Sequence, residues 1–196
     1  MPPREPDPSQ RTGSVAYVPR YVALLRSVNI GGYGRVNMND LRASFEKLGS
    51  ADVITYIQTG NVLFSTPSKS EPKIVGAIEE RLDEDFGESP AVILRNVPEL
   101  LRIGKASPYA RSGANPSRHH VTFLATPPTA AILAAFELPP SGKDELVIDG
   151  REVYVHTPNG YAETKYTGTF LERRLGVVST TRNWNTVTKL CALARR

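Results

Sequence analysis

Four short stretches of the sequence gather side chains that could bind an anion. The first, RSVNIGGYGR at 26–35, places Arg26 and Asn29 before a loop with three glycines. Such loops can hold an anion with backbone N–H groups, and the arginine could add charge. The stretch is neither a dinucleotide-binding GxGxxG sequence nor a Walker loop, because Asn37 replaces the third glycine and no GK[ST] follows. The alternative interpretation is a plain connection from a strand to a helix.

The second and third stretches carry amides and a lysine. YIQTGNVLF at 56–64 contains Gln58 and Asn61 around a Gly-Asn turn. The two amides could orient a ligand, but a tight hairpin also favours these residues, and we favour the turn. GYAETKYTG at 160–168 places Lys165 in the first turn of a predicted helix, where a bound anion would offset its unfavourable position in the helix dipole. The alternative is an exposed lysine.

The fourth stretch, TTRNWNT at 180–186, surrounds the single tryptophan of the chain. We expect Trp184 to anchor a C-terminal helix while donating its indole N–H, and Asn185 or Thr186 to be the N-cap of that helix. Arg182 and Asn183 have no part in this explanation. They are therefore candidates for contact with a ligand.

The distribution of charge allows an anionic partner at one end of the chain. The net charge of the 196 residues is +4, but residues 161–196 hold seven Lys or Arg and two Glu, and residues 71–88 hold seven acids and two bases. A basic segment attracts an anionic ligand or a nucleic acid. The alternative, which we favour over nucleic-acid binding, is two solvated helix faces of opposite sign.

Other features exclude several classes of protein. No run of 18 apolar residues is present, and the proline-rich residues 1–20 are predicted to be a disordered leader, so we expect a soluble cytoplasmic protein without a membrane segment. The single cysteine, Cys191, cannot form an intramolecular disulfide. Adjacent His119 and His120 would point to opposite faces of a strand, and His156 stands alone in the sequence, so we predict no metal site and no cofactor.

The chain reads as β-α-β-β-α-β twice, although we detect no repetition of residue identities. This order is typical of the ferredoxin-like fold. We therefore predict an α+β fold of two ferredoxin-like halves with antiparallel sheets, together with linker and C-terminal helices. The predicted segments are a leader at 1–20, a first half at 21–97, a linker helix and loop at 98–118, and a second half at 119–196. The first strand, YVALLRSVNI, is apolar on both faces, which predicts that the other half covers its open side.

Four segments of the sequence together resemble a known family. In order, YVALLRSVNIGG, MNDLRASFEKLG, VITYIQTGNVLFS and TTRNWNTVTKL are similar to the domain of unknown function 1697 family of uncharacterised bacterial proteins. The family pattern is approximately LLRGINVGG, M-x-x-L-R, YIQSGNVxF and TTRNWxTV, and the match covers residues 21–193. Ser27 and Thr59 depart from it, as does the stretch after the two glycines. The resemblance implies the same fold and brings no established activity or cofactor.

The resemblance also selects the residues that recur in the family. They are mostly polar or glycine, which suits recognition of a phosphate or carboxylate at strand ends and turns. The predicted ligand-binding residues are Arg26, Asn29, Gly31, Gly32, Gln58, Asn61, Lys165, Arg182, Asn183 and Trp184. Gly60 recurs as well.

Four hypotheses follow from these observations. The first is binding of a small anionic ligand between the two halves, which requires Arg26 and Arg182 to lie on the same side of the fold. The second, by fold analogy to acylphosphatases, is hydrolysis of phosphoryl or acyl-phosphate compounds. The third is nucleic-acid binding through residues 161–196. Against base stacking, the strand segments VALLRSV and NVLFST contain a single aromatic residue, Phe64. The fourth, which we rank level with the first, is a purely structural polar clamp between the halves.

Overall fold

The structure is a computed structural model that describes residues 18–29, 36–87, 90–113 and 115–196. The strands are β1 (Arg20–Leu25), β2 (Ala51–Tyr56), β3 (Asn61–Ser65), β4 (Val92–Asn96), β5 (His119–Leu124), β6 (Glu145–Asp149), β7 (Glu152–His156) and β8 (Ser179–Asn183). The α-helices are α1 (Met38–Lys47), α2 (Glu71–Phe86), α3 (Val97–Ala106), α4 (Pro108–Arg111), α5 (Ala130–Ala134), α6 (Gly168–Leu175) and α7 (Trp184–Ala194). Short 3-10 helices span Pro116–Arg118 and Tyr161–Glu163.

The strands form two four-stranded sheets with the same topology. The first has the order β2-β3-β1-β4 and the second the order β6-β7-β5-β8, and every pairing is antiparallel. In each sheet the first and third strands along the chain are central, which is the ferredoxin-like arrangement. The predicted fold class is confirmed. We call β1–β4 with α1 and α2 the first half, and β5–β8 with α5 and α6 the second half.

Strand β1 is buried on both faces, as its composition predicts. Tyr21, Ala23 and Leu25 point into a cluster formed with α1 and α2. Val22 and Leu24 point into a second cluster, which also contains residues of β5, α3 and α7. Alternate side chains of a strand face opposite sides of the sheet, so a strand covered on both sides must be apolar throughout.

Helices α3 and α7 fill the space that the two sheets share. Their apolar side chains, including Leu100 and Leu190, join the inward faces of both sheets in one core cluster. The helices approach closely at Gly104, where an added Cβ would lie 2.6 Å from Cys191 Sγ. A side chain at residue 104 would therefore force the buried Cys191 to move.

Two helices begin at residues other than those predicted. Helix α6 starts at Gly168, because Thr167 accepts a hydrogen bond from the Phe170 N–H as the N-cap. Lys165 therefore lies before the helix, not in its first turn. Helix α7 starts at Trp184, because the Asn183 side chain accepts from the Asn185 N–H, so the predicted caps Asn185 and Thr186 are wrong.

Within the described residues, no helix combines the length and the apolar composition needed to cross a bilayer.

Candidate functional site

Arg182 on β8 reaches from the second half into the first. The residue is only 7% exposed. Its first-half acceptors are Asn61 Oδ1, 2.6 Å from Nε, and the carbonyls of Leu25, Thr59 and Gly60, at 2.8, 3.0 and 3.4 Å from Nη2. Within β8, Nη1 donates to Thr180 Oγ1 at 2.7 Å and to the Thr181 carbonyl at 3.0 Å. We call this set of contacts the Arg182 clamp, and it joins the end of β1 and the β2–β3 turn to β8.

The charge of Arg182 is held by neutral oxygens. All of its hydrogen-bond acceptors in the described part of the chain are carbonyl, amide or hydroxyl groups. Burial lowers the pKa of Arg182 to about 10, so the group remains protonated at neutral pH. The hydrogen bonds offset the loss of hydration, but they do not cancel the positive charge.

Arg95 on β4 makes the corresponding contacts in the opposite direction. It is 1% exposed. Its Nε donates to Glu152 Oε1 at 2.8 Å, and its Nη2 donates to the carbonyls of Leu124 and Arg151 at 2.8 and 3.0 Å. Its Nη1 donates to the Leu94 carbonyl in β4 at 2.7 Å. We call this set the Arg95 clamp, and it joins the end of β5 and the β6–β7 turn to β4.

The two clamps share four contacts, and Arg182 makes additional hydrogen bonds to Thr59 and Thr180. In each, Nε reaches the first residue of the third strand, Nη2 reaches the last carbonyl of the first strand and the last carbonyl of the turn, and Nη1 reaches the preceding residue of its own strand. The supporting backbone bonds also correspond, since Leu25 N–H donates to Gly60 and Leu124 N–H donates to Arg151. The two halves are thus held together by reciprocal arginines.

Residue identities therefore do recur between the halves, and the prediction that they do not is wrong. Arg95-Asn96 and Arg182-Asn183 both end the last strand of a half, and both asparagines accept a backbone hydrogen bond as the N-cap of the next helix. The stretches IEERL at 78–82 and LERRL at 171–175 occupy α2 and α6. Their glutamates, Glu79 and Glu172, accept from the first N–H of β4 and β8. These matches are short and far apart along the chain, so the order of strands and helices alone does not reveal them.

The Arg95 clamp is neutralised by acids. Glu152, 1% exposed, accepts from Arg95 and, through Oε2, from Arg102 at 2.9 Å. The neighbouring Arg151 pairs with Glu71 and Glu99. Burial lowers the pKa of Arg95, and the hydrogen bond to Glu152 opposes that effect. Where the Arg95 clamp has Glu152, the Arg182 clamp has the neutral Asn61.

Arg26 lies beside the Arg182 clamp, as the anion hypothesis requires. It follows Leu25, whose carbonyl Arg182 binds. Arg26 Nη2 is 3.2 Å from Glu172 Oε1, and the two side chains are 42% and 24% exposed. The two arginines are therefore on the same side of the fold. The acid beside them, Glu172, lies on α6 and connects that helix to the first half through Arg26.

Asn29 and Gln58 shape the backbone next to this pair. The Asn29 side chain donates to the carbonyls of Val36 and Gln58, both at 3.0 Å, and accepts from the Val36 N–H. The Gln58 side chain is exposed at the β2–β3 turn. Asn29 thus joins Val36 to that turn.

Backbone strain collects around the Arg182 clamp. Three non-glycine residues beside it have left-handed φ values: Ser27 at 59°, Asn29 at 60° and Ile57 at 48°. This conformation is unfavourable for a β-branched residue, yet Ile57 is also 45% exposed. The turn at the Arg95 clamp reaches positive φ only at Gly150. Such strain is often associated with functional sites.

Asn61 completes the turn from the inside. It is fully buried, and its Nδ2 donates to the Tyr56 carbonyl and to Thr59 Oγ1 while its Oδ1 accepts from Arg182. Each of these contacts is internal to the protein. Asn61 therefore holds the turn and the clamp together, in agreement with the turn interpretation of its sequence.

Asn183 and Trp184 belong to the start of α7. Asn183 Nδ2 donates to the Ser117 carbonyl at 3.1 Å and lies 3.3 Å from His120 Nε2. Trp184 is 7% exposed in the core cluster between the sheets. Asn183 docks the helix against the second half, whereas Trp184 anchors it in the core shared by both sheets. Asn183 therefore has a structural role that its sequence context did not indicate.

His156, isolated in the sequence, lies opposite His119 in the register of β5 and β7. Their rings are 5.1 Å apart, and Tyr109 lies within 5.3 Å of His156. The expectation that His156 stands alone is therefore wrong, because antiparallel pairing joins residues that are distant in sequence. In the described ranges, no group of three or more His, Cys, Asp or Glu side chains is arranged to hold a metal ion.

The other predicted site residues are outside this group. Lys165 is exposed, and its backbone N–H donates to Ser141 Oγ, with no contact between its ammonium and the Arg182 clamp in the described structure. Gly31 and Gly32 lie outside the described residues. The fold thus brings together Arg26, Asn29, Gln58, Asn61 and Arg182, and their part in ligand binding stays a prediction.

Comparison with known proteins gives a family and a fold. The family model described as "Protein of unknown function (DUF1697)" matches residues 18–154. No curated protein matches the chain. Among solved structures, the chain is similar to the conserved bacterial protein SP0830 from Streptococcus pneumoniae, with a TM-score of 0.73, 22% identity, and coverage of 91% of this chain and 99% of that one. This likeness concerns the fold.

Proposed function

Because the chain belongs to the DUF1697 family, whose description names no activity, we propose from the site geometry that it binds a small anionic ligand bearing a phosphate or a carboxylate. The ligand would lie beside the Arg182 clamp, where the end of β1 and the β2–β3 turn meet β8 and α6. The observation that carries the proposal is the buried, protonated Arg182, which is surrounded by neutral acceptors.

The comparison with the Arg95 clamp supports this assignment. The same contacts occur there with Glu152 in the place of Asn61, so the fold can accommodate a carboxylate at this position. Its replacement by an amide leaves a buried positive charge next to a second arginine, Arg26. An anion placed nearby would gain from both charges in a region of reduced dielectric.

The exposed groups supply the direct contacts. Arg26 is 42% exposed and can form a bidentate interaction with a carboxylate or a phosphate. Gln58 adds an amide, and Ile57 adds an apolar side chain on a strained turn. Arg182 is occupied by protein acceptors, so it fixes the turn and provides the field without touching the ligand.

A substitution that makes the two clamps alike tests the proposal. Asn61→Asp places a carboxylate against Arg182, and we expect it to weaken anion binding by about tenfold or more, as does Arg26→Ala. Binding would be found by a thermal-shift screen of phosphate- and carboxylate-bearing metabolites and quantified by calorimetry. Arg102→Ala, at the exposed edge of the Arg95 clamp, is the matched control and should bind as the wild type does.

A second candidate function is a structural clamp without a ligand. The four hydrogen bonds from Arg182 to the first half favour it, because they join the two halves without any ligand. In that case no anion raises the melting temperature, and Arg182 variants lose stability only. If the screen finds no ligand whose binding depends on Arg26, the binding proposal is rejected and the structural one remains.

We make two further proposals, one on localisation and one on nucleic-acid binding. We propose residence in the cytoplasm, which is consistent with the free, buried thiol of Cys191 and is tested by cell fractionation. We rank nucleic-acid binding through the basic residues 161–196 below the small ligand. It would require RNA or DNA affinity that falls steeply with salt.

A further inference from the structure

Glu172 has two roles at the Arg182 clamp. Its Oε2 accepts from the Ser179 N–H at 3.1 Å and from Ser179 Oγ at 3.4 Å, so it caps the start of β8. Its Oε1 lies 3.2 Å from Arg26 Nη2 and thereby spans the two halves. One carboxylate oxygen thus caps the start of β8, and the other forms an ion pair with the exposed Arg26.

The first half contains an equivalent of the strand cap. Glu79 accepts from the Val92 N–H at 2.9 Å, at the start of β4. In the second half, the residue equivalent to Arg26 is Ala125, since each follows the last residue of the first strand of its half and donates its N–H to the carbonyl of the residue just before the last strand. Alanine carries no charge, so the ion pair between Glu172 and Arg26 has no counterpart there.

Resting on the proposed function, we infer that Glu172 is a resident carboxylate that makes the site select phosphoryl groups over monocarboxylates. A ligand must displace Glu172 Oε1 to reach Arg26. A monocarboxylate would exchange one carboxylate–guanidinium pair for another, with little gain. A phosphate monoester carries a charge of about −1.5 to −2 and three acceptor oxygens, so it gains on the exchange.

The displacement requires only a local movement. The Arg26–Glu172 pair is partly exposed, and such pairs contribute little to stability because solvent screens them. Glu172 can keep its bonds to Ser179 through Oε2 while Oε1 withdraws. The acid therefore acts as a charge filter on the ligand and is a specificity-determining residue.

The test compares Glu172→Gln with the wild type and with Glu79→Gln as the matched control. Glutamine keeps an oxygen for the Ser179 N–H and removes the charge that competes for Arg26. The probes are inorganic phosphate and acetate, titrated at neutral pH and constant ionic strength by calorimetry, with amide NMR shifts of Ser27 and Gln58 locating the site. We expect the wild type and Glu79→Gln to bind phosphate but not acetate, and Glu172→Gln to bind acetate and to bind phosphate about tenfold more tightly.

The outcomes separate the inference from the proposed function. If the wild type binds phosphate and Glu172→Gln changes neither affinity nor selectivity, the inference is overturned and the binding function survives. If the wild type binds neither probe but Glu172→Gln binds both, Glu172 occupies the site as inferred and the proposed native function fails. If no variant binds either probe, both are overturned. Loss of the gain in the double variant Arg26→Ala, Glu172→Gln would support the inference, and its persistence would contradict it.

Discussion

The Arg95 clamp and the Arg182 clamp use the same backbone frame and the same donor, but they treat the charge of that donor differently. Arg95 meets the buried carboxylate of Glu152, which a second arginine also binds. Arg182 meets the amide of Asn61. The frame requires only an oxygen at this place, so the choice between amide and carboxylate is free to serve another purpose. The clamp with the amide is also the one with strained backbone and an exposed arginine beside it.

The largest expected difference between the clamps is their response to removal of the arginine. Arg95→Met should lower the free energy of unfolding by about 4 kcal/mol, because it leaves Glu152 charged and buried with one partner fewer. Arg182→Met should cost about 2–3 kcal/mol, because it leaves only neutral acceptors unsatisfied. Urea unfolding at neutral pH measures both, and methionine preserves most of the buried aliphatic stem in each.

A second substitution isolates the stranded charge. Adding Glu152→Gln to Arg95→Met should recover part of the loss, whereas Glu152→Gln alone should destabilise the protein. Equal losses for Arg95→Met and Arg182→Met would contradict the distinction between a clamp with a carboxylate acceptor and a clamp with only neutral acceptors.

We expect acid to destabilise the protein through the residues that support the N-cap of α7 in the second half. The cap of α3 is a capping box of Asn96 and Glu99, whereas the cap of α7, Asn183, leans on His120. Burial, and then the charge of His119, lowers the pKa of His120 to about 4 from its ordinary value of 6.5. Unfolded His120 therefore takes up a proton before the folded protein does. Stability is complete above about pH 6.5 and falls by about 3 kcal/mol as the pH approaches 4.

Unfolding free energies between about pH 7 and pH 4.5 check this expectation. Burial also lowers the pKa of His119, followed by the effect of His156, so that residue contributes in the same window. His120→Gln retains an acceptor for Asn183 and should flatten the profile. A profile of His120→Gln that is as steep as that of the wild type would show that His120 is not the group responsible.

The smallest expected difference concerns the two turns. Gly60 has φ +71°, and an added Cβ would lie 2.7 Å from Leu25 Cβ, whereas Gly150 has φ +61° with nothing within 4 Å. Gly150→Ala should therefore cost about 1 kcal/mol for the left-handed conformation alone. Gly60→Ala should cost about 2 kcal/mol or more, because the turn that carries the Arg182 acceptors must also move. Thermal unfolding of the two variants side by side measures the difference, and equal melting temperatures would contradict it.

Much of the fold could be predicted because it depends on local patterns. Strand β1 is apolar on both faces, and the structure covers it on both faces. The order of strands and helices was sufficient to predict two ferredoxin-like halves. Helix starts were less accurate, since several asparagines and threonines near 183 and 165 compete as N-caps.

The candidate site was predictable only in part. Arg26 and Arg182 were paired on the basis of residue type and family resemblance, and in the fold Arg182 binds the carbonyl of Leu25, the residue before Arg26. The role of Glu172 was missed, because its carboxylate contacts residues distant in sequence. Arg95 was missed because its strand reads as an ordinary apolar strand. The repeated Arg-Asn pair before a helix was the signal that could have found it.

The types and periodicity of neighbouring residues are sufficient to predict the alternation of strands and helices, the two-sided burial of β1 and the family. The oxygens that the buried arginines reach depend instead on how the two halves pack. Asn61 and Arg182 are 121 residues apart. No local pattern encodes such a contact, because it forms when two separately built sheets pack against shared helices. In the packed structure the Arg95 clamp contains the carboxylate of Glu152, whereas the Arg182 clamp keeps its positive charge beside the amide of Asn61.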